Sequence, residues 1–158
     1  IHPRAEPEIA FLIGKPLSGP VTSLEAFAAI VGIASAIEII DSRFRNFKFR
    51  ITDVIADNSS SSAFVVGPWN APDTDVGNLG MSLEFDGQPV GIGSSAAILG
   101  HPLRSLVEAA AILGRYGEGL QPGDILLSGS ATAAEPLCKG TRVRVRVEGM
   151  EGCGFQVV

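Results

Sequence analysis

The sequence predicts an α+β domain rich in strand: a curled, mixed and largely antiparallel sheet with one main helix packed outside it. Three observations carry this. Apolar residues make up 46% of the 158 positions and charged residues only 18%, so most of the chain must be packed rather than solvated. Nineteen glycines and ten prolines cut it into short runs, as tight turns between strands require. The strand-like runs outnumber the helical ones and do not alternate with them as βαβ units would. The length suits one compact domain, expected over residues 1–158.

Taken in order, Glu8–Ile13 reads as a strand entering the core, and Lys15–Pro20 as a turn-rich connection. "TSLEAFAAIV" opens on Thr22 with Glu25 three residues later, a capping box before a short helix. Ala34–Ile40 reads as a buried strand whose only charge is Glu38. Phe47–Asn58 is ambiguous, with a helix or turn favoured near Ile51–Ala56. Ala63–Gly67 is a short buried strand. Met81–Gly93 is a hairpin turning at Asp86-Gly87. His101–Gly117 is the best helix, with Pro102 at its first position, His101 as a cap, and Leu103, Leu106, Val107, Ala110 and Leu113 as its apolar face. Asp124–Ser130 is a buried strand, and Thr141–Gly149 alternates strictly, with Val143, Val145 and Val147 inward and Arg142, Arg144 and Arg146 on a solvated face.

A net charge of −5 argues against a nucleic-acid binder, whose affinity would rest on a basic surface. No apolar run reaches the ~20 residues of a membrane helix, and no signal peptide is visible. With two cysteines, Cys138 and Cys153, in no metal-binding spacing, two free thiols and a cytoplasmic location are expected.

The chemistry-bearing residues begin with Glu6 and Glu8. Two positions apart on a strand, they project from one side, with Pro7 on the other. Glu38 stands alone in an apolar strand, where an unpaired carboxylate costs several kcal/mol. Two readings stand on the residues alone. The pair is a solvated strand face and Glu38 pairs with Arg43, which is the commoner arrangement. Alternatively, three carboxylates converge on a hard dication such as Mg²⁺ or Mn²⁺. With only His2 and His101 in the chain, a zinc or iron site is not expected. Asp57-Asn58-Ser59-Ser60 offers an acid, an amide and hydroxyls, either as a substrate loop or as an Asx-type turn. Gly129, between Ser128 and Ser130, would let a ligand approach the backbone.

The motifs "IHPRAEPEIAF", "AIEIIDSRFRNFKF", "VIADNSSSSAFVVG", "AAILGHPL" and "GDILLSGS", in this order along essentially the whole chain, resemble the 2-oxopent-4-enoate hydratase and 4-oxalocrotonate decarboxylase family of the fumarylacetoacetase superfamily. The resemblance implies a β-roll of the fumarylacetoacetase C-terminal-domain type. It also implies a divalent-metal-dependent lyase acting on 2-oxo acids from the meta-cleavage of aromatic compounds. By this resemblance Glu6, Glu8 and Glu38 carry Mg²⁺ or Mn²⁺, with Asp41 as runner-up for the third ligand. Asp57, Asn58 and Ser60 are the catalytic candidates, Asp57 as the proton handler, and Ser128, Ser130 and Arg43 the substrate-binding ones.

"IHP" and "NFKF" look more like the decarboxylases, since hydratases more often carry Asp-Trp where Asn46-Phe47 stands. The expected reaction is therefore loss of CO₂ from 4-oxalocrotonate, a carbon–carbon lyase. The alternatives are hydration of 2-hydroxypenta-2,4-dienoate, and a non-catalytic binding or assembly subunit. The family further implies a homo-oligomer, association with the companion hydratase or decarboxylase of the pathway, and an upstream segment with an active-site lysine that nothing here matches. On that view residues 1–158 are the C-terminal, metal-binding part of a longer chain.

Overall fold

The computed structural model describes residues 1–158, and its chain path is governed by one long antiparallel pair. β1 (Arg4–Ile13) and β2 (Ile30–Ile40) lie side by side from Arg4 opposite Ile40 to Ile13 opposite Ile30, with a single register irregularity at the Leu12–Ile13 step. Between them, α1 (Ser23–Ala29) starts at the predicted capping box: Thr22 Oγ1 accepts the Glu25 N–H at 3.2 Å, and Glu25 Oε2 accepts the Thr22 N–H at 2.7 Å. After β2 the chain passes through the short helix α2 (Ile51–Ala56) into β3 (Ser61–Val66), which pairs with the free side of β2. The free side of β1 takes β6 (Ile125–Leu127) and the two-residue β7 (Glu135–Pro136), completing a five-stranded sheet.

A second sheet has the order β5 (Gln88–Ser94), β4 (Gly80–Phe85), β8 (Arg142–Val147), β9 (Gly154–Gln156). The β4–β5 hairpin turns at Asp86-Gly87 as predicted; both residues have positive φ, 51° and 81°, as a two-residue turn matching the strand twist requires. α3 (Leu103–Gly114) is the longest helix. His101 caps it, its Nδ1 accepting the Leu103 N–H at 3.1 Å, and Pro102 already has helical φ and ψ of −53° and −34°.

The core lies between the two sheets and under the helices. Alternate residues of β1 and β2 (Ala5, Ile9, Phe11, Ile33, Ile37) meet Met81, Leu83, Val143, Val145 and Val147 of the second sheet, and Ala26, Ala29, Leu106 and Ala110 of α1 and α3 close it. Arg142, Arg144 and Arg146 point outward, Arg146 pairing with Glu84 at 2.7 Å. Both cysteines are free. No helix is long and apolar enough to cross a membrane.

Several elements differ from the sequence expectation: β3 begins at Ser61 rather than Ala63 and is exposed at Ala63 and Phe64 rather than buried, and β6 spans only Ile125–Leu127 of Asp124–Ser130, with Ile125 exposed. β1 begins at Arg4 rather than Glu8, and β2 at Ile30 rather than Ala34, where the β-branched Ile30, Val31 and Ile33 continue the strand and each ladder extends the other. Pro7 is tolerated inside β1 because the other side of that strand is unpaired there: β6 has ended, β7 has not begun, and the Pro7 carbonyl accepts only the Ala131 N–H at 3.0 Å. The pairings are also all antiparallel and divided between two sheets rather than gathered in one. Leu106, fully buried, anchors α3 on this core, so Leu106→Ala is expected to lower the urea unfolding free energy by about 2–5 kcal/mol.

Candidate metal centre

Side-chain alternation separates the two faces of the first sheet. Ala5, Ile9 and Phe11 of β1 face the main core; Glu6, Glu8 and Ala10 face the other way, where Ala10 packs with Ala34 and Ala36 of β2 in a second small cluster. On β2, Glu38 stands directly opposite Glu6, while Glu8 faces Ala36. Spacing along one strand and register across to the next thus bring the three predicted carboxylates together: one oxygen from each lies within 4.8 Å of the other two.

This is an uncomfortable grouping of charges. Glu8 is 1% exposed and has one hydrogen-bond donor, the Gly129 N–H at 2.7 Å from Oε2. Gly129 presents that N–H from a φ of 102°, where side-chain-bearing residues are strained, so the glycine serves the carboxylate. Burial pushes the Glu8 carboxyl up to about 8; the Gly129 N–H works against this, and the charges of Glu38 and Glu6 add to it. Burial, then the Glu38 charge, push Glu6 up to about 7, with Arg4 opposing. Glu38 accepts a hydrogen bond from the Ser61 hydroxyl. Three hard oxygen donors, short of compensating positive charge and without sulfur or imidazole among them, fit a small hard dication of the Mg²⁺ or Mn²⁺ type.

The other candidates are placed differently. Asp41 is not among the converging oxygens; it accepts the His2 N–H at 2.8 Å and the Ile1 ammonium at 2.5 Å. Arg43 pairs with Asp57 (Nε–Oδ1 2.6 Å), not with Glu38 as the solvated-face reading had it, and its guanidinium also reaches the Asp41 carbonyl at 3.3 Å. Asp57 accepts further bonds on Oδ2 from Ser60 Oγ (3.0 Å), Ser42 Oγ (3.2 Å) and the Arg43 N–H (3.2 Å).

Burial would raise the Asp57 carboxyl, but the Arg43 amide, the Ser60 hydroxyl, the Arg43 guanidinium and the Ser42 hydroxyl outweigh it and hold the group below the ordinary carboxylate range. So paired, Asp57 ties the turn that follows β2 to Ser42, Arg43 and Ser60, and Arg43 is engaged with it. Asn58 is exposed, while Ser60 is buried on Asp57. Ser130 is satisfied locally, donating to the Thr132 carbonyl at 2.6 Å. Ser128 alone of the substrate-binding candidates has a buried hydroxyl with no partner.

Sequence reasoning missed two contributors. Ser61 is one of four consecutive serines with nothing in the sequence to single it out, and Gly129, which in sequence offers room for a ligand, donates its N–H to Glu8.

Residues 2–158 match the fumarylacetoacetate (FAA) hydrolase C-terminal family. The chain is 56% identical over 155 residues to a 4-oxalocrotonate decarboxylase of Pseudomonas sp, covering 98% of this chain and 60% of that protein. It is 38% identical over 159 residues to a 2-hydroxyhexa-2,4-dienoate hydratase of Comamonas testosteroni, covering 99% of this chain and 60% of that one. Among solved structures, 4-oxalocrotonate decarboxylase from Pseudomonas putida G7, complexed with magnesium and adipate, superposes with a TM-score of 0.95 at 37% identity, over 100% of this chain and 61% of that one. The chain therefore spans about three fifths of the length of these relatives.

The raised carboxyls fix the sign of a pH effect. The folded, metal-free chain keeps protons on Glu6 and Glu8 that the unfolded chain has released, so stability falls as pH rises from about 4.5 through about 8. Thermal melts without metal are expected to show a lower midpoint at pH 9 than at pH 6. Glu8→Gln, which keeps an acceptor for the Gly129 N–H and carries no ionisable group, should raise the pH 9 midpoint.

Proposed function

The chain belongs to the fumarylacetoacetate hydrolase C-terminal family, and on that premise we propose that it carries the metal-holding part of a 2-oxo acid lyase whose reaction is the decarboxylation of 4-oxalocrotonate. The observation that carries this reading is the convergence of Glu6, Glu8 and Glu38, in a chain whose relatives are named decarboxylases and hydratases. These three residues would hold Mg²⁺ or Mn²⁺. Bound there, the cation supplies a Lewis acid that draws electron density toward the 2-oxo oxygen of the substrate.

The chain's own residues do the rest by position. β1 and β2 fix the three carboxylates on a rigid ladder, and the Gly129 N–H spreads part of the Glu8 charge. Arg43 and Asp57 neutralise each other and lock the turn that follows β2. Ser128, with its buried and unpartnered hydroxyl, is the candidate to meet a polar group of the substrate. In the reaction, the bond to the departing carboxylate breaks and CO₂ leaves. The electron pair passes through the conjugated double bond to the 2-oxo oxygen, which takes a proton to give 2-hydroxypenta-2,4-dienoate.

The second reading is hydration of that dienoate, favoured by the hydratases among the relatives. The third is a binding or assembly role without turnover. We further propose a cytoplasmic homo-oligomer that associates with the pathway's companion hydratase.

Supplying each substrate with Mg²⁺ separates the first two readings. The expected result is CO₂ release from 4-oxalocrotonate; loss of dienol absorbance without CO₂ would assign the hydratase. Metal binding without turnover on either substrate would favour residues 1–158 being the metal-holding part of a longer chain. Glu8→Ala is expected to lower turnover by at least about 100-fold, together with Mn²⁺ affinity.

A further inference from the structure

Glu38 differs from the other two carboxylates of the triad in coming from β2 rather than β1, so its orientation is not set by the spacing that pairs Glu6 with Glu8. We propose that Ser61 is a positioning residue for Glu38, and that the knot around Asp57 exists to deliver it. The proposal rests on the metal reading above.

Two independent irregularities aim the Ser61 hydroxyl. The first is in the ladder. Ile39 pairs with Ala63, but Ile40 pairs with Ser61, leaving Ser62 as an extra residue. In a regular ladder Ser62 would oppose Ile40, and Ser61 would project from the opposite face to Glu38. The bulge turns Ser61 to the face that Glu38 shares with Phe64, and its Oγ meets Glu38 Oε1.

The second is in the backbone just before it. Asn58, Ser59 and Ser60 have successive φ values of 52°, 54° and 60°, three side-chain-bearing residues in the left-handed region. Such a run persists only where its surroundings over-determine it. Here Asp57, with its side chain 4% exposed, is held on both carboxylate oxygens by Ser42, Arg43 and Ser60. The Ser60 carbonyl also accepts the Asp41 N–H at 2.8 Å, and the Ser60 N–H donates to the Asp57 carbonyl at 2.9 Å. The turn is therefore tied to Asp41, Ser42 and Arg43, the three residues that directly follow β2. None of the Asp57 bonds reaches the triad; their yield at the site is the placement of Ser61.

The test is a Mn²⁺ titration of the intact protein followed by electron paramagnetic resonance. Wild type is expected to bind. Ser61→Ala should bind 10–100-fold more weakly, with a changed zero-field splitting of the bound ion, and Ser61→Thr, which restores the hydroxyl, should recover most of the affinity. Asp57→Asn should weaken binding as Ser61→Ala does, and melting of the metal-free variant reports whether it is folded. If it is not, Ser61→Ala and its rescue decide alone. Equal affinity and an unchanged spectrum in Ser61→Ala, with wild type binding Mn²⁺, would overturn the positioning role and leave the metal reading standing. A wild type that binds no Mn²⁺ would remove both.

Discussion

The register between β1 and β2 is the constraint on which the rest of the molecule depends. One pleat serves two purposes: Ile9, Phe11, Ile33 and Ile37 go into the core from one side, and Glu6, Glu8 and Glu38 gather on the other. Because side chains alternate strictly, sliding β2 by one residue would send Glu38 toward the apolar core and bring Ile37 and Ile39 out. The buried aliphatic residues thus hold the carboxylates in place as effectively as any contact among the carboxylates themselves. Core mutations on these strands and ligand mutations act on the same ladder, so their effects on stability and on metal affinity are not independent.

Two buried carboxylates show how far surroundings decide behaviour. Glu8 and Asp57 are both nearly inaccessible, and burial alone would raise both. Asp57 receives a guanidinium, an amide and two hydroxyls, and ends as a fully satisfied anion. Glu8 receives one amide and faces two like charges, and burial together with those charges raises its carboxyl well above the ordinary range. The first environment is finished without a ligand. The second is complementary to a cation, which would convert its repulsions into attractions. That asymmetry is a property of the tertiary surroundings, which the sequence context of neither carboxylate displays.

Much of this was legible in the sequence. The capping box at Thr22, the Asp86-Gly87 turn, the valine alternation of β8 and the apolar face of α3 are local signals, written in residues near one another, and the structure carries them all. The Glu6–Glu8 spacing is local too, and Glu38 was conspicuous as a lone charge among isoleucines. What was not legible depended on partners distant in the chain. The early start of β1 rests on β2; the service of Gly129 to Glu8 rests on a loop far downstream; and the aim of Ser61 rests on a bulge that exists only once β3 has docked. The partners of Asp57 are illegible for the same reason, since Arg43 approaches through tertiary structure and the neighbours of Asp57 in sequence spell an ordinary polar loop.

The bond between Gly129 and Glu8 closes a loop of 121 residues. Chain closure over such a distance is a late event in folding, since loop entropy must be overcome before the contact can repay it. During synthesis, β1, β2 and β3 can pair while the strand that carries Gly129 has yet to be made. Over that interval Glu8 lacks its one hydrogen-bond donor, and the hairpin of β1 and β2 carries three carboxylates that repel one another. Glu8 therefore gains its hydrogen-bond donor only once the residues beyond α3 have joined the chain, and the site is completed by the segment most distant from it in sequence.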